Sequence, residues 1–287
     1  MKRVIHDFDG ESTMKRSCAM ICLLVGLAFV GNLSADEFKG SSPVHVIARL
    51  KMSANYLHYE EDGRLSVDYG VMPGLNLDLE TEIGRFRVKT YFSSAWTDGI
   101  YHYASDGVDF QYKYDSQDEQ ILIAEACVGH SFLRGRLNIT PYSGVGYRYW
   151  VRGITEEHLT SQGETVQGIR SEYTWGFATL GSDNAIEFSN RWTGAFDIAV
   201  LFPLDGKMKL YLSHVFDCEN KSYNLDLKPG FRIRAPVSFN LSEKVALCFT
   251  TRYVFWRIAK GKSYPSNTDA KGTIHHSTLE AGVVYIF

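Results

Sequence analysis

Two groups of residues in this chain have the types and spacings that chemistry requires. The first is His275 and Ser277, inside the stretch TIHHSTLE over 273–280. Residues two apart in a strand share a face, and an imidazole beside a hydroxyl can take its proton and make the oxygen a nucleophile. No third group is visible to orient the imidazole, and short polar residues also serve simply to end an apolar belt. The second group is a series of cations: Arg49 and Lys51, Arg85, Arg87 and Lys89, Arg148, Arg232 and Arg234, and Arg252. Asp78, Glu125, Asp197 and Glu280 fall on the same face, so nine cations stand against four acids. Lining a bore, that excess would lower the barrier for negative solutes. Paired across a bore that side chains fill, the same charges would seal it and stiffen it. Cys127, Cys218 and Cys248 are sparse and odd in number. They give neither a disulfide framework nor a metal-ligand spacing, and no cofactor is expected.

What positions these residues is alternation. In VHVIARLKMSANY, residues 44–56, the even positions are apolar or small, from Val44 to Tyr56, and the odd ones carry His45, Arg49, Lys51, Ser53 and Asn55. A period of two sends successive side chains to opposite faces of a strand. The pattern recurs at 75–79, 85–92, 121–132, 137–151, 171–182, 191–202, 229–240, 245–258 and 274–287, which predicts about ten strands. KMKLYLSH, 207–214, alternates as well and leaves an extra hairpin or a 12-stranded arrangement open.

Short turns such as LSEK at 241–244 alternate along the chain with long polar connections at 97–116, 152–170, 203–228 and 259–273. Soluble sandwiches use shorter strands with frequent turns, whereas transmembrane barrels pair short periplasmic turns with long outer loops. In hydrocarbon every backbone polar group needs a partner, so only helices and closed barrels span it. The fold class predicted is therefore all-β, a transmembrane antiparallel up-and-down β-barrel. An even strand number places both ends of the barrel on the periplasmic side. Apolar faces then meet lipid, with Tyr147, Tyr149, Tyr253, Phe255, Tyr285 and Phe287 as aromatic girdles, and the charged faces meet the lumen.

The segment MKRSCAMICLLVGLAFVGNLSA, 14–35, has two cations, an apolar run from Cys18 to Val30 and a small-residue end at Ala35. That is the pattern of a cleavable secretory signal peptide, and the run is shorter than the ~20 residues a membrane helix needs. Residues 1–13 fit no targeting pattern, and Met14 is an alternative start. The expected organisation is an extension and signal peptide over 1–35, then one barrel domain over 36–287. A net charge of -3 gives no footing for a nucleic-acid partner. The connection WTDGIYHYASDGVDFQYKYDSQDEQ, 96–120, interleaves acids with aromatics. It reads either as a surface contact or as a solvated hairpin.

Four stretches carry a resemblance: ITPYSGVGYRYW at 139–150, SEYTWGFATLG at 171–181, GKMKLYLS at 206–213 and TRYVFWRI at 251–258. In this order they are similar to the motifs of a family of small proteobacterial outer-membrane barrels of uncertain function. Trp175, Ala178 and Leu210 depart from that family's pattern. The resemblance implies residence in the outer membrane of a Gram-negative bacterium and the barrel fold. The lumen charges and strand number leave a narrow porin-like channel or a structural, surface-binding barrel as the expected function. The final strand, through Leu279, Val283, Tyr285 and Phe287, also resembles the signature by which outer-membrane proteins are passed to the barrel-assembly machinery. Membrane lipid and that machinery are the partners implied, and the solute or surface ligand stays open.

Ten strands with long outer extensions also resemble the omptin proteases, which activate water between an Asp pair and an Asp-His pair. The candidates here, Asp106 with Asp109 and His214 with Asp217, are spaced by three. That sends their side chains to opposite faces of a regular strand, so an outer-membrane hydrolase, protease or lipid A deacylase, remains the alternative and no catalytic residue is assigned.

Overall fold

The computed structural model describes residues 44–61, 66–97, 101–106, 110–114, 118–153, 158–159, 165–166, 170–211, 220–259 and 272–287. Residues 1–35, with the signal peptide expected at 14–35, lie outside them. Ten long strands form the body: β1 (Val44–Glu61), β2 (Ser66–Ile83), β3 (Phe86–Thr97), β4 (Asp118–His130), β5 (Leu137–Gly153), β6 (Arg170–Glu187), β7 (Trp192–Tyr211), β8 (Asp226–Asn240), β9 (Val245–Ala259) and β10 (Gly272–Ile286). Each pairs antiparallel with its neighbours, and β1 pairs with both β2 and β10, so the sheet closes. The closing register runs from Ile47 opposite Ile286 to Glu61 opposite Gly272. The fold is an all-β, ten-stranded, up-and-down transmembrane-type barrel.

The strands outrun the sequence periodicity at one end. β1 continues past Tyr56 to Glu61, and β7 absorbs residues 207–211, which therefore extend a barrel strand. There they gain an added strand, Lys221–Asn224, along the same edge. A hairpin of Tyr101–Asp106 and Phe110–Tyr114 likewise adds to the loop end of β2, pairing along Ser66–Tyr69. At the opposite end the connections are tight. Gly84, at φ 61°, and Arg85 join β2 to β3, a two-residue turn that demands left-handed backbone and hence glycine. In the 241–244 turn the Ser242 hydroxyl accepts from the Val245 amide at 3.1 Å. Both barrel ends, Val44 and Phe287, sit at this short-turn end, where the Phe287 amide donates to the Val46 carbonyl at 2.9 Å.

Polarity is inverted relative to a soluble barrel. Leu50 and Met52, 63% and 71% exposed, flank Lys51, which is 2% exposed. Outside, the short-turn end carries a ring of Phe86, Phe132, Phe188, Trp192, Tyr285 and Phe287, all exposed. Tyr56, Tyr69, Trp96 and Tyr147 are exposed nearer the loop end. An apolar band between aromatic rings is the surface a bilayer requires. In β7 the pairing with β6 slips by one residue at Pro203–Asp205. The bulge exchanges the two faces: Ala199 and Leu201 point inward before it, Gly206 and Met208 after it.

Candidate functional site

The lumen has two storeys. The half toward the short turns is an ionic lattice. Lys51 of β1 pairs with Glu280 of β10 and with Asp78 of β2, the latter at 2.7 Å. Arg49 and Arg87 converge on Glu80 at 2.9 and 3.5 Å, and Arg87 also meets Glu82 at 2.6 Å. Two links cross the bore instead of following the wall: Lys89 of β3 to Asp183 of β6, and Arg232 of β8 to Glu125 of β4. Tyr142 donates to Asp197 at 2.7 Å and accepts from Arg232 at 2.9 Å, while Thr179 donates to Glu125 at 2.7 Å. Arg234 lies 3.9 Å from Asp197, and Arg252 lies 3.7 Å from Glu280 while stacking on Tyr91 at 4.5 Å. These groups surround a cavity of about 220 Å³.

The half toward the long loops is an apolar cap. Trp150, Trp175, Trp256, Tyr59, Leu57, Met72, Ile121 and Ile274 are all essentially without solvent exposure. Trp150 stacks on Tyr173 at 4.6 Å and meets Tyr59 edge-on at 5.3 Å. Trp256 is edge-on to both Trp175, at 5.7 Å, and Phe177, at 5.6 Å. Edge-to-face and offset pairs at such distances are favourable aromatic geometries. Polar groups inside this storey are tied to it: Glu119 accepts from the Trp150 indole, and Arg152 pairs with Asp68 while lying over Tyr59. The barrel is thus filled in series, by rings and then by charges, as its strand number allows.

Of the residues expected in the lumen, Arg49, Lys51, Asp78, Arg87, Lys89, Glu125, Asp197, Arg232, Arg234, Arg252 and Glu280 meet in the lattice, and Arg148 lies apart from it against Trp175. Arg85 does not belong there, since it occupies the exposed turn after Gly84. Three acids of the lattice escaped the sequence reading: Glu80, Glu82 and Asp183. Glu80 and Glu82 continue the every-other-residue series of Asp78, which was the available signal, and Asp183 lies one residue past the expected end of its strand. With them the lattice balances. Arg49, Lys51, Arg87, Lys89, Arg232, Arg234 and Arg252 face Asp78, Glu80, Glu82, Glu125, Asp183, Asp197 and Glu280, and within the lattice the expected excess of positive charge is gone.

Leu279, Val283, Tyr285 and Phe287 all point outward and are exposed. Tyr149, expected in a girdle, is instead buried, its hydroxyl donating to Glu172 at 3.1 Å. His275 and Ser277 do share the outer face. The His275 Nδ1 is hydrogen-bonded to the Tyr253 hydroxyl at 2.7 Å, and its ring packs against Phe255 at 5.2 Å and His58 at 5.8 Å. Its hydrogen bond is thus to a phenol, where a catalytic pair would be oriented by a carboxylate. Asp109, His214 and Asp217 lie outside the described residues, and only the backbone of Asp106 is described.

No family model and no curated protein sequence matches the chain. Its structure is similar to that of outer membrane protease OmpT from Escherichia coli, with a TM-score of 0.62, 6% identity, and coverage of 86% of this chain and 98% of that one. At that identity the likeness shows the barrel fold alone. A major outer membrane protein from Thermus thermophilus aligns over 84% of this chain and 99% of its own, at TM-score 0.40 and 13% identity. Neisserial surface protein A aligns over 86% and 99%, at 0.33 and 12%.

Proposed function

We propose that the protein is an outer-membrane barrel of one domain, residues 36–287, which acts as a structural and surface-binding component and does not conduct solutes. The observation that carries this reading is the serial closure of the lumen. A solute would have to displace the Trp150, Trp175 and Trp256 cap and then break the Arg232–Glu125 and Lys89–Asp183 links that cross the bore. The even balance of lattice charge also removes the basis for anion selectivity. What remains available for function is the outer surface and the loop end, where added strands pair along β7 and β2.

The apolar outer band and the aromatic rings support residence in the outer membrane, reached through the signal sequence at 14–35. The outward face of β10, Leu279, Val283, Tyr285 and Phe287, is proposed as the surface handed to the assembly machinery. Planar-bilayer recording of the purified, refolded protein tests the central reading. A silent bilayer is expected. Stable conductance steps whose ion preference shifts on Arg87→Glu would establish a channel in its place.

A further inference from the structure

Arg148 is 1% exposed, and its Nε and both terminal nitrogens have no hydrogen-bond partner. It lies between the two storeys: its guanidinium sits 5.3 Å from the Trp175 ring centroid of the cap, and Arg252 of the lattice is within its electrostatic reach. Arginine keeps its charge in proteins, and a buried cation without a counter-charge is strongly unfavourable. Among the described residues the one carboxylate in electrostatic reach, Glu119, is held by the Trp150 indole and leaves its other oxygen unbonded instead of turning it on Arg148. Further donors nearby are also unsatisfied. Arg252 has a free Nε, and Trp175, whose ring the Arg148 guanidinium overlies, has a free Nε1. His276 donates through Nε2 to the Asn55 Oδ1 at 3.1 Å, so its unbonded Nδ1 is an acceptor. The boundary layer therefore holds more buried donors than acceptors.

We infer that Arg148 marks a buried binding site for a monatomic anion of halide size, seated between the aromatic cap and the ionic lattice. A halide needs only N–H donors and a positive charge, which is what this layer offers. Arg148 does not line the 220 Å³ cavity, and a monatomic ion asks the least rearrangement of the packing around it, where a phosphate or carboxylate would ask more. An enclosed anion would act as a structural ion, binding the folded barrel and not the unfolded chain, and would raise stability by mass action. The inference is separate from whether the barrel conducts, because the site is a bound ion and not a pathway.

The full chain should be refolded from urea into detergent in sodium bromide, crystallised, and the halide located by anomalous diffraction. A bromide peak within hydrogen-bonding distance of the Arg148 guanidinium is the expected result. In parallel, the urea midpoint should be higher in chloride than in gluconate at equal ionic strength. Arg148→Met should still fold, since it removes the cation that needs compensation, and should lose the chloride dependence. Water at the guanidinium, bromide confined to other places, or a chloride effect that survives Arg148→Met overturns the inference. So does a wild type indifferent to chloride whose stability falls on Glu119→Gln, which would make Glu119 the counter-charge.

Discussion

Lys51 of β1 and Glu280 of β10 form a buried ion pair across the seam where the first and last strands meet. Lys51 also holds Asp78 on its other side, so one ammonium ties together three consecutive staves of the closed sheet. Removing one partner of a buried pair leaves the other charge uncompensated, at a cost of about 3–5 kcal/mol. Lys51→Met is expected to lower stability by that amount in urea titrations of the refolded protein. Because the two residues share one interaction, the Lys51→Met, Glu280→Gln double variant should lose less than the two single losses added together. Additive losses would show that the pair does not hold the seam.

The same seam depends on a missing side chain. A Cβ at Gly282 would run into the Leu50 carbonyl oxygen and stand 2.6 Å from the Lys51 Cα and 2.7 Å from its Cγ. Lys51 crosses to Glu280 through the space that Gly282 leaves. Gly282→Val is therefore expected to displace the lysine and to cost at least as much as Lys51→Met, with the two substitutions non-additive. A fully stable Gly282→Val barrel would sink this account.

Inverted polarity makes a prediction of its own at Leu50 and Val283, which face each other in register on the outer wall and are both exposed. On a soluble surface Leu50→Arg would be nearly neutral. Facing lipid near the middle of the bilayer, it should cost about 2–4 kcal/mol. Folding into phospholipid vesicles measures the difference, and an unimpaired Leu50→Arg variant would argue against a lipid-facing wall.

How far the sequence could be read divides at the two storeys. Strand number, connection pattern and the position of Lys51, Asp78 or Arg232 follow from a period of two, because polar and apolar residues alternate cleanly there. The cap does not follow, because near the loop end both faces are apolar. In VALCFTTRYVFWRI, Val254, Trp256 and Ile258 point inward while Phe255 points outward. Alternation cannot assign an inside when neither face is polar, and that loss of contrast was itself the sign of a packed lumen. Cross-bore partners such as Lys89 with Asp183 depend on closure and tilt, which no single strand encodes.

At the end of β10, Phe287 is 70% exposed and its ring lies 4.7 Å from that of Tyr285, at the short-turn rim. If this outward face is what the assembly machinery recognises, Phe287→Ser should reduce the amount of barrel inserted in cells several-fold. It should leave unassisted refolding into detergent nearly unchanged, since the ring covers nothing inside. The heat-dependent gel shift of folded barrel, read in both settings, checks it. Equal loss in both would make the ring a packing element only.

The cap should matter to stability more than any girdle residue. Trp256 is 1% exposed and touches both Trp175 and Phe177, so its removal deletes the hub of the aromatic packing. Large-to-small changes of buried aromatics cost about 3–5 kcal/mol, the spread reflecting how far the surroundings collapse. Lateral collapse is limited here, because a closed sheet fixes the wall positions. Trp256→Ala should therefore fall toward the upper end of that range in urea unfolding, and Trp256→Phe should recover part of it. Trp96→Ala, on an exposed outer-face ring, should cost markedly less. If Trp256→Ala proved no more costly than Trp96→Ala, the rings in the outer half of the lumen would be loosely placed, and the sealed bore would lose its upper barrier.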